Sequence, residues 1–201
     1  MKLIMAKIGA RPKGRLIEQH DVVFGVVNGL SDMVALVDQA WSEVKGKWHI
    51  DAWREVQRVG DYRIGIAPPS ERVDTTEHTQ QPQLYFVNLG GYLPNQFEEF
   101  HYKTLVVAES MAKATAAVKT SDFYRDYCFE NDDSCISGAA TSHVDDKHLL
   151  DIDDLHCVAA LLADTAALQI TPLTPAEQQS MPEDFLHIGY LPRKSLLQLA
   201  D

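Results

Sequence analysis

Nowhere in the 201 residues does an apolar run reach the roughly 18 to 20 residues that a membrane-spanning helix needs. Met1-Lys2-Leu3-Ile4-Met5 is too short for the apolar core of a secretion signal, so the chain is expected to be cytoplasmic, with no membrane partner. Cysteine is scarce: Cys128, Cys135 and Cys157 cannot all pair with one another, and their spacing matches neither a zinc ribbon nor a redox CxxC, which leaves reduced thiols. The GxSxG of a serine hydrolase is missing. No cofactor is expected, and no residue is assigned as a metal ligand.

Basic residues are also in short supply. Lys and Arg number 18 against 29 Asp and Glu, a net charge of −11. Residues 1–82 carry 11 of each sign, so the whole excess falls on 83–201, with 7 basic and 18 acidic groups. An acidic surface repels phosphate backbones, which argues against a nucleic-acid partner. What remains is a chain with 45% apolar and 23% charged residues, enough to bury a core.

Sliding the chain against itself by 81 positions aligns LIMAKIGARPKGRLIEQH, ending at His20, with LYFVNLGGYLPNQFEEFH, ending at His101. Seven identities fall within residues 2–38, among them Gly9/Gly90, Glu18/Glu99 and His20/His101. The match resumes with WHID, ending at Asp51, against SHVD, ending at Asp145, and closes with Tyr62–Pro69 against Leu168–Pro175. A duplicated domain follows. The expected division is a first repeat over 1–67, a polar linker over 68–82, a second repeat over 83–175 with acidic insertions, and a C-terminal tail over 176–201 in which Phe185–Leu191 adds a strand.

Each repeat reads as strand, strand, helix, strand, strand. The fold class is α+β, two tandem repeats packed with pseudo-two-fold symmetry. Leu3–Ile8, Val22–Val27, Leu84–Leu89 and Leu105–Ala108 are near-continuous apolar runs, as in strands covered on both faces. Ser31 and Ser110 stand where helix N-caps are expected. Gly60-Asp61 divides two strand-like runs as a hairpin turn does. Trp41, Trp48 and Trp53 read as core.

Chemistry-bearing residues recur in pairs: Glu-x-His at Glu18/His20 and Glu99/His101, and His-x-Asp at His49/Asp51 and His143/Asp145. On extended backbone the members of each pair project from the same side. Imidazole and carboxylate together suit a divalent cation or an acid–base pair, and these eight residues are the candidate ligand-binding set. A structural role, with carboxylates orienting histidines, is the favoured alternative. GARPKGR and GGYLPNQ join strand to strand and read as ordinary turns rather than phosphate loops. The acidic stretch from His143 to His156 reads as a solvated insertion.

The phrases IEQHDVVFGVV, WHIDAWREV and LYFVNLGGYLPNQFEEFH resemble the bacterial domain-of-unknown-function 1543 family, over roughly residues 1–70 and 83–175. The resemblance implies duplicated form and assigns no activity. The expected function is a non-enzymatic ligand-binding or protein-interaction module, its partner a small ligand or a protein, dimerising through an exposed edge strand. The alternative is a metal-dependent, hydrolase-like enzyme using the repeated pairs.

Overall fold

The computed structural model describes residues 1–67, 81–92, 96–120, 150–162 and 168–199. It resolves into two compact units, one made of Met1–Thr75 with Leu161–Asp201, the other of Thr76–Ala160. Both combine helices with antiparallel sheets, an α+β architecture.

In the first unit, β1 (Lys2–Ala10) is the inner strand between β2 (Gln19–Val27) and β3 (Trp48–Glu55), with β10 (His187–Pro192) on the outer side of β3. Ile4, Ala6, Ile8 and Ala10 alternate along β1 onto one face. There they meet Val23, Val27 and Ile50 of the flanking strands and Met33, Val34 and Val37 of α1 (Met33–Ala40). Each fully buried Ile or Val contributes about 1.5–3 kcal/mol by leaving water, so this stripe fixes which face of the sheet is core. The opposite face, with Lys7, Gly9 and His49, carries the polar residues described below.

Ser31 does not cap α1. It lies within a 3-10 turn, Leu30–Asp32, and Asp32 Oδ2 accepts from the backbone N–H of Asn28 and Gly29. Ser110 does cap α2 (Met111–Val118), accepting from the Lys113 N–H. Gly60, at φ 56°, turns the chain between β4 (Arg58–Val59) and β5 (Tyr62–Ile66).

The C-terminal segments pair with strands of the first unit. β9 (Leu168–Pro172), assigned by the sequence repeat to the second copy, pairs with β5 and groups with the first unit. The 176–201 segment is more than a tail, because β10 extends the first sheet and Leu196 of the short α5 (Arg193–Leu196) is fully buried in its core. Arg193 there makes a two-pronged ion pair with Asp38 of α1, whose Oδ1 also accepts from Trp48 Nε1 at 2.8 Å and from the Gly46 N–H at 3.1 Å. Burial opposes ionisation of Asp38, but these donors outweigh it and hold the carboxyl at about 2. Helix α4 (Pro175–Ser180), between β9 and β10, starts on a capping box formed by Thr174 and Glu177. Farther along, Asp184 Oδ1 accepts from the N–H groups of Gln57 and Arg58, fastening this stretch to the β3–β4 turn.

In the second unit, β6 (Gln83–Tyr92) lies between β7 (Glu99–Ala108) and β8 (Leu150–Cys157), with α3 (Val158–Leu161) beginning directly after β8. Val87, Leu89 and Val118 of α2 form its core with Val106, Ile152 and Leu155. Residues 150–157, expected to be a solvated insertion, are therefore a paired strand. His143, Asp145, Cys128 and Cys135 lie outside the described residues. Among the described residues, no helix is long and apolar enough to cross a membrane.

Candidate functional site

Two ladders bring the first-repeat pairs together. Gly9 stands opposite His20 of β2 on one side and opposite His49 of β3 on the other. Residues directly opposite in a ladder share a face, so the two imidazoles flank a position without a side chain. The β1–β3 register then shifts between Lys7 and Ile8, leaving Asp51 as the extra residue of a β-bulge. Such bulges re-aim a side chain, and this one points Asp51 toward both histidines.

The outcome is a closed ring of alternating acid and imidazole. Glu18 directs Oε2 to His20 Nε2 at 3.5 Å and Oε1 to His49 Nε2 at 3.4 Å. Asp51 directs Oδ2 to His20 Nε2 at 3.2 Å and Oδ1 to His49 Nε2 at 3.1 Å. Each carboxylate thus spends one oxygen on each ring. The Asp51 Oδ2 atom is buried, yet despite its nearness to His20 no donor is aligned to give it a hydrogen bond. Lys7 Nζ, at 3.9 Å from the same oxygen, supplies only loose electrostatic support.

The burial is graded across the ring. The His49 side chain is 8% exposed, while those of His20 and Glu18 are 36% and 43% exposed, so one edge faces solvent. Tyr190 of β10 lies over His49 with ring centroids 4.2 Å apart. It reaches that place where the β10–β3 register breaks between Ile188 and Leu191, at Gly189, whose φ of 140° disfavours any residue with a Cβ. Nothing local in the sequence marks Tyr190 as a neighbour of His49, because the two are joined only through a long-range ladder.

Gly9, expected as part of a turn, lies inside β1, and its role is close approach. A Cβ there would fall 2.6 Å from His49 Nε2 and 3.1 Å from Asp51 Oδ2. Gly9→Ala is therefore expected to push His49 out of the ring, lowering affinity for any ligand held there at least ~10-fold, with an overpacking cost of about 1–3 kcal/mol. Calorimetric titration beside a urea melt checks both numbers.

The second unit repeats the plan with changes. Gly90 stands opposite His101 and opposite Asp151, and the register shift between Asn88 and Leu89 makes Asp153 the bulged residue. The place of Asp51 is thus taken by Asp153, and the register place of His49 by Asp151. The sequence alignment put His143 and Asp145 there. Glu99 and His101 occupy their expected places, with His101 Nε2 3.2 Å from Asp153 Oδ2 and 3.8 Å from Glu99 Oε2.

Comparison with known proteins bears on the same strands. Residues 15–66 match the model of the Domain of Unknown Function (DUF1543) family. The DUF1543 match takes in Glu18, His20, His49 and Asp51, all four members of the ring. A crystal structure of a protein from Idiomarina loihiensis shares the fold, with a TM-score of 0.58 and 22% identity over 95% of this chain and 96% of that one. No curated protein matches.

Proposed function

We propose that the chain is a non-enzymatic binding module that holds a divalent cation between Glu18, His20, His49 and Asp51. The closed ring carries this reading. Each carboxylate reaches the two imidazoles through different oxygens, at 3.1 to 3.5 Å, so holding one Zn²⁺ requires Glu18 and Asp51 each to turn a single oxygen inward. A buried carboxylate oxygen without a hydrogen bond is costly unless something satisfies it, and a cation in the ring does so. Two imidazoles with two carboxylates suit Zn²⁺ better than the oxygen-seeking Mn²⁺.

The test is calorimetric titration of the full chain with Zn²⁺. One equivalent is expected to be taken up in the first unit, lost in His20→Ala. Uptake of the same equivalent by that variant would show that the ring is a structural hydrogen-bonding device.

One observation favours the enzymatic alternative. The exposed edge at Glu18 and His20 leaves room for a water beside a bound cation, as hydrolytic centres require. Turnover of an activated ester or phosphate that depends on both Zn²⁺ and His20 is the outcome that reading demands.

The duplication reading draws support from the matching glycine, imidazole and bulge positions on β1 and β6. It also draws support from the β5–β9 ladder, which is self-matching: Ile64 pairs with its repeat equivalent Ile170, and Tyr62 with Pro172 as Ile66 does with Leu168. A local two-fold through Ile64 and Ile170 accounts for that register.

A further inference from the structure

We propose that the second unit carries a separate divalent-cation site, formed by Glu99, His101 and Asp153, that takes a hard, oxygen-seeking cation of the Mn²⁺ class. One donor atom from each of the three lies within 4.8 Å of the other two. Their convergence is built into the strand. A Cβ at Gly90 would fall 2.6 and 2.8 Å from the Asp153 carboxylate oxygens and 2.9 Å from Glu99 Oε1, so only glycine leaves the carboxylates free to close over β6.

Asn88 of β6 stands beside the Asp153 carboxylate of this set. The Asn88 side-chain oxygen is buried and has no hydrogen-bond partner, while its Nδ2 makes long contacts to Asp153 at 3.4 Å and Asp154 at 3.3 Å. Turning the amide over would bring its oxygen to the carboxylates, an arrangement that repels in the absence of a cation and is favourable in its presence.

The differences from the first unit set the preference. Two residues before the glycine, Lys7 of β1 gives way to Asn88 of β6, so an ammonium is replaced by a neutral amide and the local field becomes more negative. Opposite the glycine, His49 gives way to Asp151. One imidazole among several oxygen donors is the set that Mn²⁺ accepts readily, and it is poorer in nitrogen than the ring of the first unit. The proposal uses residues of the second unit alone, and therefore stands or falls apart from the Zn²⁺ ring.

The experiment is Mn²⁺ titration of the full chain followed by electron paramagnetic resonance, in the wild type and in Asp153→Asn, Glu99→Gln and His49→Ala. Wild type and His49→Ala are expected to retain a tight equivalent of Mn²⁺. Asp153→Asn should weaken it at least ~10-fold with unchanged circular dichroism, and Glu99→Gln supplies the same reading should Asp153→Asn fail to fold. Equal binding by the wild type and both second-unit variants, loss of the equivalent in His49→Ala alone, or no Mn²⁺ binding by the wild type would each overturn the proposal.

Discussion

His49→Ala is expected to lower Zn²⁺ affinity by at least ~100-fold, about 2.7 kcal/mol at 1.36 kcal/mol per tenfold, while the metal-free variant melts within about 1 kcal/mol of the wild type. His49 is the most buried member of the ring and contacts both carboxylates. Removing it deletes a donor at the closed end, where water replaces it poorly. The stability loss stays small because His49 meets two like-charged carboxylates, Glu18 Oε1 at 3.4 Å and Asp51 Oδ1 at 3.1 Å, an arrangement with little to lose without a ligand. A ring serving only the fold predicts the reverse: no Zn²⁺ uptake by the wild type, and a loss of about 1–3 kcal/mol in the variant as buried partners go unsatisfied. Parallel calorimetry and urea melts separate these outcomes. Saturating Zn²⁺ should also stabilise the wild type, by about 2.7 kcal/mol at a hundredfold excess over Kd, and leave the variant unmoved.

Asp38→Ala is expected to destabilise the first unit by about 2–3 kcal/mol. The change strands the Arg193 guanidinium and the indole N–H of buried Trp48, and it detaches the α5 segment that seats Leu196. Asp38→Ala with Arg193→Ala should cost less than the sum of the single changes, since the second removes the stranded charge. The pH dependence has a fixed sign. Because the folded value of about 2 lies below the ordinary 3.8, ionised Asp38 contributes stability above about pH 4, and that contribution fades as pH falls toward 2. Urea midpoints of wild type and Asp38→Ala should therefore converge across that window and run parallel from pH 5 to 8.

The two pairs were legible in the sequence because strand periodicity is local: Glu18/His20 and His49/Asp51 are each two residues apart, Glu18 just before β2 and the other three in strands flanking one glycine, but that the pairs meet rests on a long-range ladder the sequence does not show. Its counterpart was only half legible. Glu99 and His101 follow the same local rule, whereas Asp151 and Asp153 replace a histidine-led pair with two acids; WHID shares two identities with SHVD and two with the LDID of the strand that pairs with β6, and only SHVD keeps the histidine. The pairings of β9 with β5 and of β10 with β3 leave no short-range trace, since they join segments more than 100 residues apart through backbone hydrogen bonds that any side chains permit. Tyr190 was missed for that reason, and so was the core role of Leu196.

Anomalous X-ray scattering at the zinc edge, from crystals of the full chain grown with one equivalent of Zn²⁺, tests the central claim most directly. The account predicts a peak bounded by His20 Nε2, His49 Nε2 and the carboxylates of Glu18 and Asp51. A fully occupied peak elsewhere, with the four side chains still closed on one another, would contradict it.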